Sequence, residues 1–174
     1  MSSPLKPYCI VFAAPVGAGK TTIAYYLSRD LWLPIYNNDA LRAQLKADMG
    51  GDALDEDLVR HKRDEILKEM LSSGKSFIVD ASVDREWAKF KQALSDNGYG
   101  CFIVSIDISR EFLDQLTSVR GDSDSEDQVA NWFRDHQNFI KEYKADIGIS
   151  IDDHNYVHRL EIVQEAIRQW LAKL

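Results

Sequence analysis

The chain predicts an α/β fold built on a parallel sheet, and three observations carry that reading. Short apolar runs alternate with amphipathic helical stretches from one end to the other. The runs are nearly all apolar instead of alternating with polar residues, as expected of strands covered on both faces. The first run, Tyr8-Cys9-Ile10-Val11-Phe12, feeds directly into a glycine-rich turn that opens a helix.

The elements follow in order. Cys9–Ala13 reads as the first strand and Thr21–Leu31 as the helix after the turn. Leu33–Tyr36 is a short second strand, after which Asn37, Asn38 and Asp39 open another helix. Leu54, Leu58, Lys62, Ile66 and Met70 recur every four residues, with Val59, Leu67 and Leu71 beside them, so a long helix with one buried stripe is predicted. Ser72-Ser73-Gly74 stops it. Phe77–Asp80 is the third strand, and Asp84–Ser95 a helix closed by Asn97-Gly98. Cys101–Ile106 is the fourth strand and Arg110–Val119 a helix. Residues 120–128 are polar and acidic. A second long helix runs from about Val129 to Tyr143, Ile147–Ile151 is the fifth strand, and the chain closes on a helix whose inner face carries Leu160, Val163, Ile167, Trp170, Leu171 and Leu174. No internal repeat or interdomain linker interrupts this pattern, so 1–174 reads as one domain.

At 174 residues with 45% hydrophobic content, such a domain can bury one sizeable core without disulfides or metal staples. The formal charge of −7 argues against a duplex nucleic-acid partner, which calls for a basic face. Cys9 and Cys101 form no CxxC pair and read as buried, reduced thiols. The first seven residues are short and polar, and no apolar stretch approaches the roughly 20 residues that span a bilayer. The expectation is therefore a soluble, cytoplasmic protein.

The chemistry concentrates in residues 13–22, Ala-Ala-Pro-Val-Gly-Ala-Gly-Lys-Thr-Thr. This is a phosphate-binding loop in its expected strand–loop–helix setting, except that Ala14 stands where the pattern G-x-x-x-x-G-K-[ST] begins with glycine. Successive backbone N–H groups of Val16, Gly17, Ala18, Gly19, Lys20, Thr21 and Thr22 can form a nest for phosphate oxygens, and the helix start adds its positive dipole end. Lys20 can reach the β- and γ-phosphates. Thr21 can offer its hydroxyl to Mg²⁺, with Asp80, at the end of the third strand, holding a metal-bound water. The ligand class is thus ATP with Mg²⁺. Ala14 is tolerable if its backbone has negative φ, because the direct contacts come from residues 16 to 21.

The acceptor side is less explicit. Asp39 and Arg42, three apart, share one face of a helix start beyond the carboxyl end of the second strand, where ligands of parallel sheets bind. Asp39 could take the proton of an acceptor hydroxyl, and Arg42 could hold an anionic group. Asp39 could equally be a helix N-cap. Arg120 and Arg134 flank the acidic stretch, which reads as disordered or, preferably, as a mobile lid around 119–134 whose arginines swing onto the phosphates. Surface arginines would look the same, and Arg110 is a lesser candidate. His154 and His158 are spaced for a metal but have no third ligand nearby. Trp132 and Phe133 read as core residues. Ser82, Asp84 and Arg85 are acceptor candidates by position alone, and Arg60-His61-Lys62-Arg63 is a basic cluster or a solvated helix face.

Taken together, Ala14–Thr22, Asp39-x-x-Arg42, Phe77–Asp80 and an arginine-bearing lid resemble the small P-loop kinases. The nearest types are the AAA_33-type kinases, the kinase domain of phage polynucleotide kinase, zeta toxins and gluconate kinase. The resemblance implies a P-loop NTPase fold with a five-stranded parallel sheet in the order 2-3-1-4-5 and helices on both faces. It implies Asp39 as the base for the acceptor hydroxyl, Arg42 as the arginine steadying the acceptor or its phosphate, and Arg120 as the lid arginine over the nucleotide base. Ala14 and the acidic lid depart from the family pattern. In that sheet order strands one and four are neighbours, so Cys9 and Cys101 should lie close together.

Three functions remain distinct at this point. The first is an ATP-dependent phosphotransferase acting on a hydroxyl or phosphate of a small acceptor. The second is a nucleotide-binding switch, for which the Asn-Lys-x-Asp element of guanine-nucleotide switches is absent. The third is a nucleic acid 5′-end kinase, which the acidic balance disfavours. Acceptor identity and oligomeric state leave no mark in the sequence.

Overall fold

The computed structural model describes residues 6–50, 54–120 and 125–174. Five strands, β1 (Tyr8–Ala13), β2 (Ile35–Asn37), β3 (Phe77–Ser82), β4 (Gly100–Ile106) and β5 (Ile147–Ile151), form one sheet in the order β2-β3-β1-β4-β5. Every pairing is parallel. The helices are α1 (Lys20–Leu31), α2 (Asn38–Asp48), α3 (Glu56–Ser72), α4 (Trp87–Asp96), α5 (Arg110–Arg120), α6 (Glu126–Tyr143) and α7 (Arg159–Leu171). Cys9 pairs directly with Cys101 in the β1–β4 register, as the sheet order requires.

Strand geometry divides the core in two. Successive side chains of β1 point to opposite faces. Ile10 and Phe12 join Ile23, Leu27, Leu113, Val163 and Ile167, so α1, α5 and α7 cover one face. Cys9, Val11 and Ala13 join Leu71, Trp87, Leu94 and Phe139, so α3, α4 and α6 cover the other. With both faces covered, mostly apolar strands keep the burial of polar groups low, the exceptions among the described strand residues being Asp80 in β3 and Ser105 in β4.

Local signals set most element ends. Asp55 accepts hydrogen bonds from the N–H groups of Asp57 and Leu58 and starts α3. Ser125 and Gln128 form a reciprocal capping box, so α6 begins at Glu126, three residues earlier than apolar periodicity alone indicates. The helix predicted from Asp84 instead begins at Trp87. Residues 83–86 remain irregular and, as shown below, line the site. Among the described residues no helix is long and apolar enough to cross a membrane.

Candidate active site

The glycine-rich loop joins β1 to α1. Gly17 and Gly19 take φ of 86° and 91°, the left-handed region that glycine enters without steric cost. A Cβ on Gly19 would lie 2.5 Å from the Tyr156 hydroxyl, and one on Gly17 would lie 2.8 Å from Thr117 Cγ2. The turn is therefore packed from outside as well as wound tightly. Tyr156 is buried and donates its hydroxyl hydrogen bond to the Ala18 carbonyl at 3.0 Å. Phe112 meets its ring edge-on at 5.1 Å, and the Arg159 guanidinium sits 4.2 Å from the ring centre.

Ala14 costs this loop little. Trp32 is the only non-glycine residue with positive φ among the described residues, so Ala14 occupies ordinary backbone. Its N–H donates to Ser82 Oγ at 3.2 Å, and its methyl group belongs to the core on the α1 side. Glycine is not required where the backbone neither turns left-handed nor needs to approach a ligand.

At the mouth of the loop, Lys20 Nζ donates to the Pro15 carbonyl at 3.1 Å. The Thr21 hydroxyl donates to Asp80 Oδ1 at 3.2 Å, and Asn37 Nδ2 donates to Asp80 Oδ2 at 2.6 Å. Burial pushes the Asp80 carboxyl above its usual range, against the opposing pulls of the Thr21 hydrogen bond and the Lys20 charge. Adjacent hydroxyl and carboxylate oxygens are the hard donors that Mg²⁺ selects, so Thr21 and Asp80 fit a magnesium site.

Asn37 also answers whether Asp39 is a cap. The Asn37 side chain accepts from the Ala40 N–H at 2.8 Å and is the N-cap of α2. Asp39 thus sits in the first helical turn, where the helix dipole favours its charge, and its carboxylate makes no hydrogen bond among the described residues. It lines a cavity of about 680 Å³ that also takes in Gly17, Gly19, Lys20, Thr21 and Asp80.

The remaining wall of that cavity comes from distant segments. Arg63 and Leu67 enter from α3, residues 81–86 from the end of β3, Phe90 from α4, and Trp132 and Asp135 from α6. Arg63 is fixed by Asp64 at 2.9 Å and Glu86 at 3.0 Å, and Arg85 donates to Asp135 at 2.6 Å. Behind them, the buried pair His136 and Asp84 approaches to 3.3 Å. The basic cluster therefore divides. Arg63 lines the cavity, while Arg60 and Lys62 pair with Asp57 and Glu65 on the solvated face.

Several expected site residues are placed elsewhere. Arg42 is engaged by both carboxylate oxygens of Glu56, at 2.9 and 2.5 Å, and does not line the cavity. Its fork is satisfied by α3, which the i, i+3 spacing with Asp39 could not reveal. Arg134 is exposed and donates to Asn131 at 2.6 Å, two positions from Trp132 and so on another face of α6. The Arg120 side chain and residues 121–124 of the expected lid lie outside the described residues. Trp132, read as core, lines the cavity instead, whereas Phe133 packs on the core. Arg63 and Trp132 could have been flagged only by helical phase: Arg63 falls one turn before Leu67, and Trp132 one turn before the buried His136.

No protein-family model matches the chain, and no curated protein matches it in sequence. Similarity to solved structures is extensive. A gluconokinase from Sinorhizobium meliloti 1021 superposes with a TM-score of 0.65 at 16% identity, covering 98% of this chain and 97% of that one. A sugar kinase from Janibacter sp. HTCC2649 gives 0.61 at 18%, covering 93% and 95%. The APS kinase of Mycobacterium tuberculosis, solved with AMPPNP and APS, gives 0.58 at 15%, covering 95% and 99%. At these identities it is the fold that is shared. The sheet order, the glycine-rich loop after β1 and these superpositions together make this chain a P-loop NTPase fold of the kind seen in small kinases.

Proposed function

We propose that the protein is an ATP-dependent phosphotransferase that moves the γ-phosphoryl group to a hydroxyl of a small acceptor. The observation that carries this reading is the Asp39 carboxylate. It is relieved of capping duty by Asn37 and lines the same cavity as Lys20 and the glycine-rich loop. A nucleotide switch has no use for a cavity that extends from the loop to a wall of side chains from five further segments, whereas a transfer enzyme needs that extension for its acceptor.

In this reading the backbone N–H groups of residues 16–22 and Lys20 hold the triphosphate, and Thr21 and Asp80 hold Mg²⁺. The metal, when bound, offsets charge on the phosphate oxygens. Asp39 orients the acceptor hydroxyl and accepts its proton. The hydroxyl oxygen then bonds to the γ-phosphorus as the bond to the β–γ bridging oxygen breaks, and ADP departs with that electron pair. Arg120 is assigned to the nucleotide, as the resemblance implies. Arg42, paired with Glu56, and Arg134, bonded to Asn131, are given no direct role in this reading.

The test is ATP turnover across sugars, polyols, nucleosides and nucleotides with wild type and Asp39→Ala. Acceptor-stimulated turnover that Asp39→Ala abolishes is the expected result. Turnover that no acceptor raises above the water rate, and that Asp39→Ala leaves unchanged, overturns the proposal.

A further inference from the structure

On the kinase reading above, we infer that the acceptor is an electrically neutral or cationic hydroxyl compound, such as a sugar, polyol or amino alcohol, and not a carboxylate or phosphate ester. The inference rests on the charge of the chamber opposite the phosphate loop. Among the described residues, Arg63 and Arg85 are the only cations on that wall, and they face Asp39, Asp84, Glu86 and Asp135. Arg63 is fully engaged, by Glu86 at 3.0 Å and by Asp64 at 2.9 Å, whereas Arg85 is tied to Asp135 through its Nε alone, at 2.6 Å, on an exposed side chain. Arg42, the cation expected to receive an anionic acceptor, is turned away and clasped by Glu56. An anionic acceptor would have to draw Arg63 away from its two carboxylates or rely on the exposed Arg85 alone, in a wall where Asp39, Asp84, Glu86 and Asp135 outnumber the arginines.

A second observation points the same way. Tyr36, Phe90 and Trp132 also line the chamber. Aromatic faces carry the negative end of the ring quadrupole. They attract cations and C–H edges of sugar-like rings and repel anions. The Asp39 carboxylate, with no hydrogen bond among the described residues, is free to accept from a hydroxyl or an ammonium group. The reaction remains the one above: a hydroxyl oxygen gains the phosphoryl group, its proton passes to Asp39, and ADP leaves.

The test uses matched acceptors, each scaffold supplied as a neutral alcohol, an amine and a carboxylate or phosphate: glucose, glucosamine, gluconate and glucose 6-phosphate form one set. ATP consumption above the water rate is read alongside direct binding of Mg²⁺–ATP. Neutral or amino members should stimulate turnover at least about tenfold more than their anionic counterparts, the size expected for one uncompensated like charge in a partly enclosed site. Asp135→Asn, which removes the carboxylate on Arg85, and Glu86→Gln, which removes one of the two carboxylates on Arg63, should each narrow that gap. Each is checked by thermal melting, so that one folded variant suffices. Equal or better stimulation by the anionic members of wild type overturns the inference. So does intact Mg²⁺–ATP binding with no response to any neutral or amino member. Failure to bind Mg²⁺–ATP at all overturns the kinase reading beneath it.

Discussion

The two halves of the cavity are made differently. The phosphate-loop side is one stretch of chain, residues 14–22, whose contacts are largely backbone and whose shape depends on two glycines with positive φ. The acceptor side is assembled from α2, α3, the segment after β3, α4 and α6, residues that stand up to about a hundred positions apart. On the proposed reading the loop side meets its ligand through N–H groups that any sequence possesses, so residue identity matters only where a side chain would intrude. On the acceptor side everything depends on which side chains are present and how their neighbours hold them. On that reading a general donor and a particular acceptor share one chamber, with selectivity confined to the assembled half.

Substitutions can break that contrast. The largest effect should come from the assembled half. Asp39→Asn should lower acceptor-stimulated kcat by about 10²–10⁴-fold, the range for loss of a positioned proton acceptor. The KM for ATP and the melting temperature should hardly change, because Asn37 and not Asp39 caps α2. A fall in melting temperature of several degrees would instead give Asp39 a structural role.

Lys20→Met comes next, lowering transfer by about 10²–10³-fold, as for loss of one charged group at the developing negative charge. It should act on every acceptor alike, since it belongs to the general half. An effect that varied with the acceptor would blur the division.

Asp80 supplies a pH test. Burial raises its carboxyl above the ordinary range in the folded protein, so it takes up a proton earlier on acidification than an ordinary aspartate does. The ionised form is the one that serves Mg²⁺. Magnesium-dependent ATP binding should therefore decline from a pH above the usual aspartate range, and titration of ATP affinity against pH measures it. The stability sign is the reverse. A raised folded-state pKa favours the fold below the unfolded value, and that contribution is lost as pH rises through the folded pKa. Asp80→Asn should flatten both dependences.

Two smaller effects concern the backbone. Asn37→Ala removes the α2 cap and the 2.6 Å hydrogen bond to Asp80, and should cost about 1 kcal/mol in chemical denaturation. Ala14→Gly restores the common motif residue yet should destabilise by roughly 0.4–1 kcal/mol through added freedom of the unfolded chain. ATP affinity should not improve. A gain in affinity would show that Ala14 does constrain the loop.

These contrasts explain what was legible beforehand. Strand positions followed from apolar runs, and β5 falls at the predicted residues because Ile147, Ile149 and Ile151 turn inward while Gly148 and Ser150 are exposed on this edge strand. The end of β3 and the start of α4 depart from the apolar pattern. Ala81 and Ser82 extend the strand, and residues 83–86 stay irregular because they form cavity wall, a tertiary demand with no local signature. Asp80 was legible because a charge ending an apolar strand is anomalous. Arg63 was ambiguous, since on a helix every exposed arginine resembles every other until the partner helices are placed.

By itself the sequence determined the alternation of strands and helices, the glycine-rich loop and hence the phosphate-binding half of the site. All of these are set by neighbours within a few residues, through backbone conformation, hydrophobic period and capping. The tertiary structure decided which carboxylate is free and which arginines are taken. Asp39 is released because Asn37 caps α2, Arg42 is claimed by Glu56 and Arg85 by Asp135. Electrostatic pairing acts over a few ångströms of space and ignores distance along the chain, so the character of the acceptor chamber existed only once the sheet had brought those segments together.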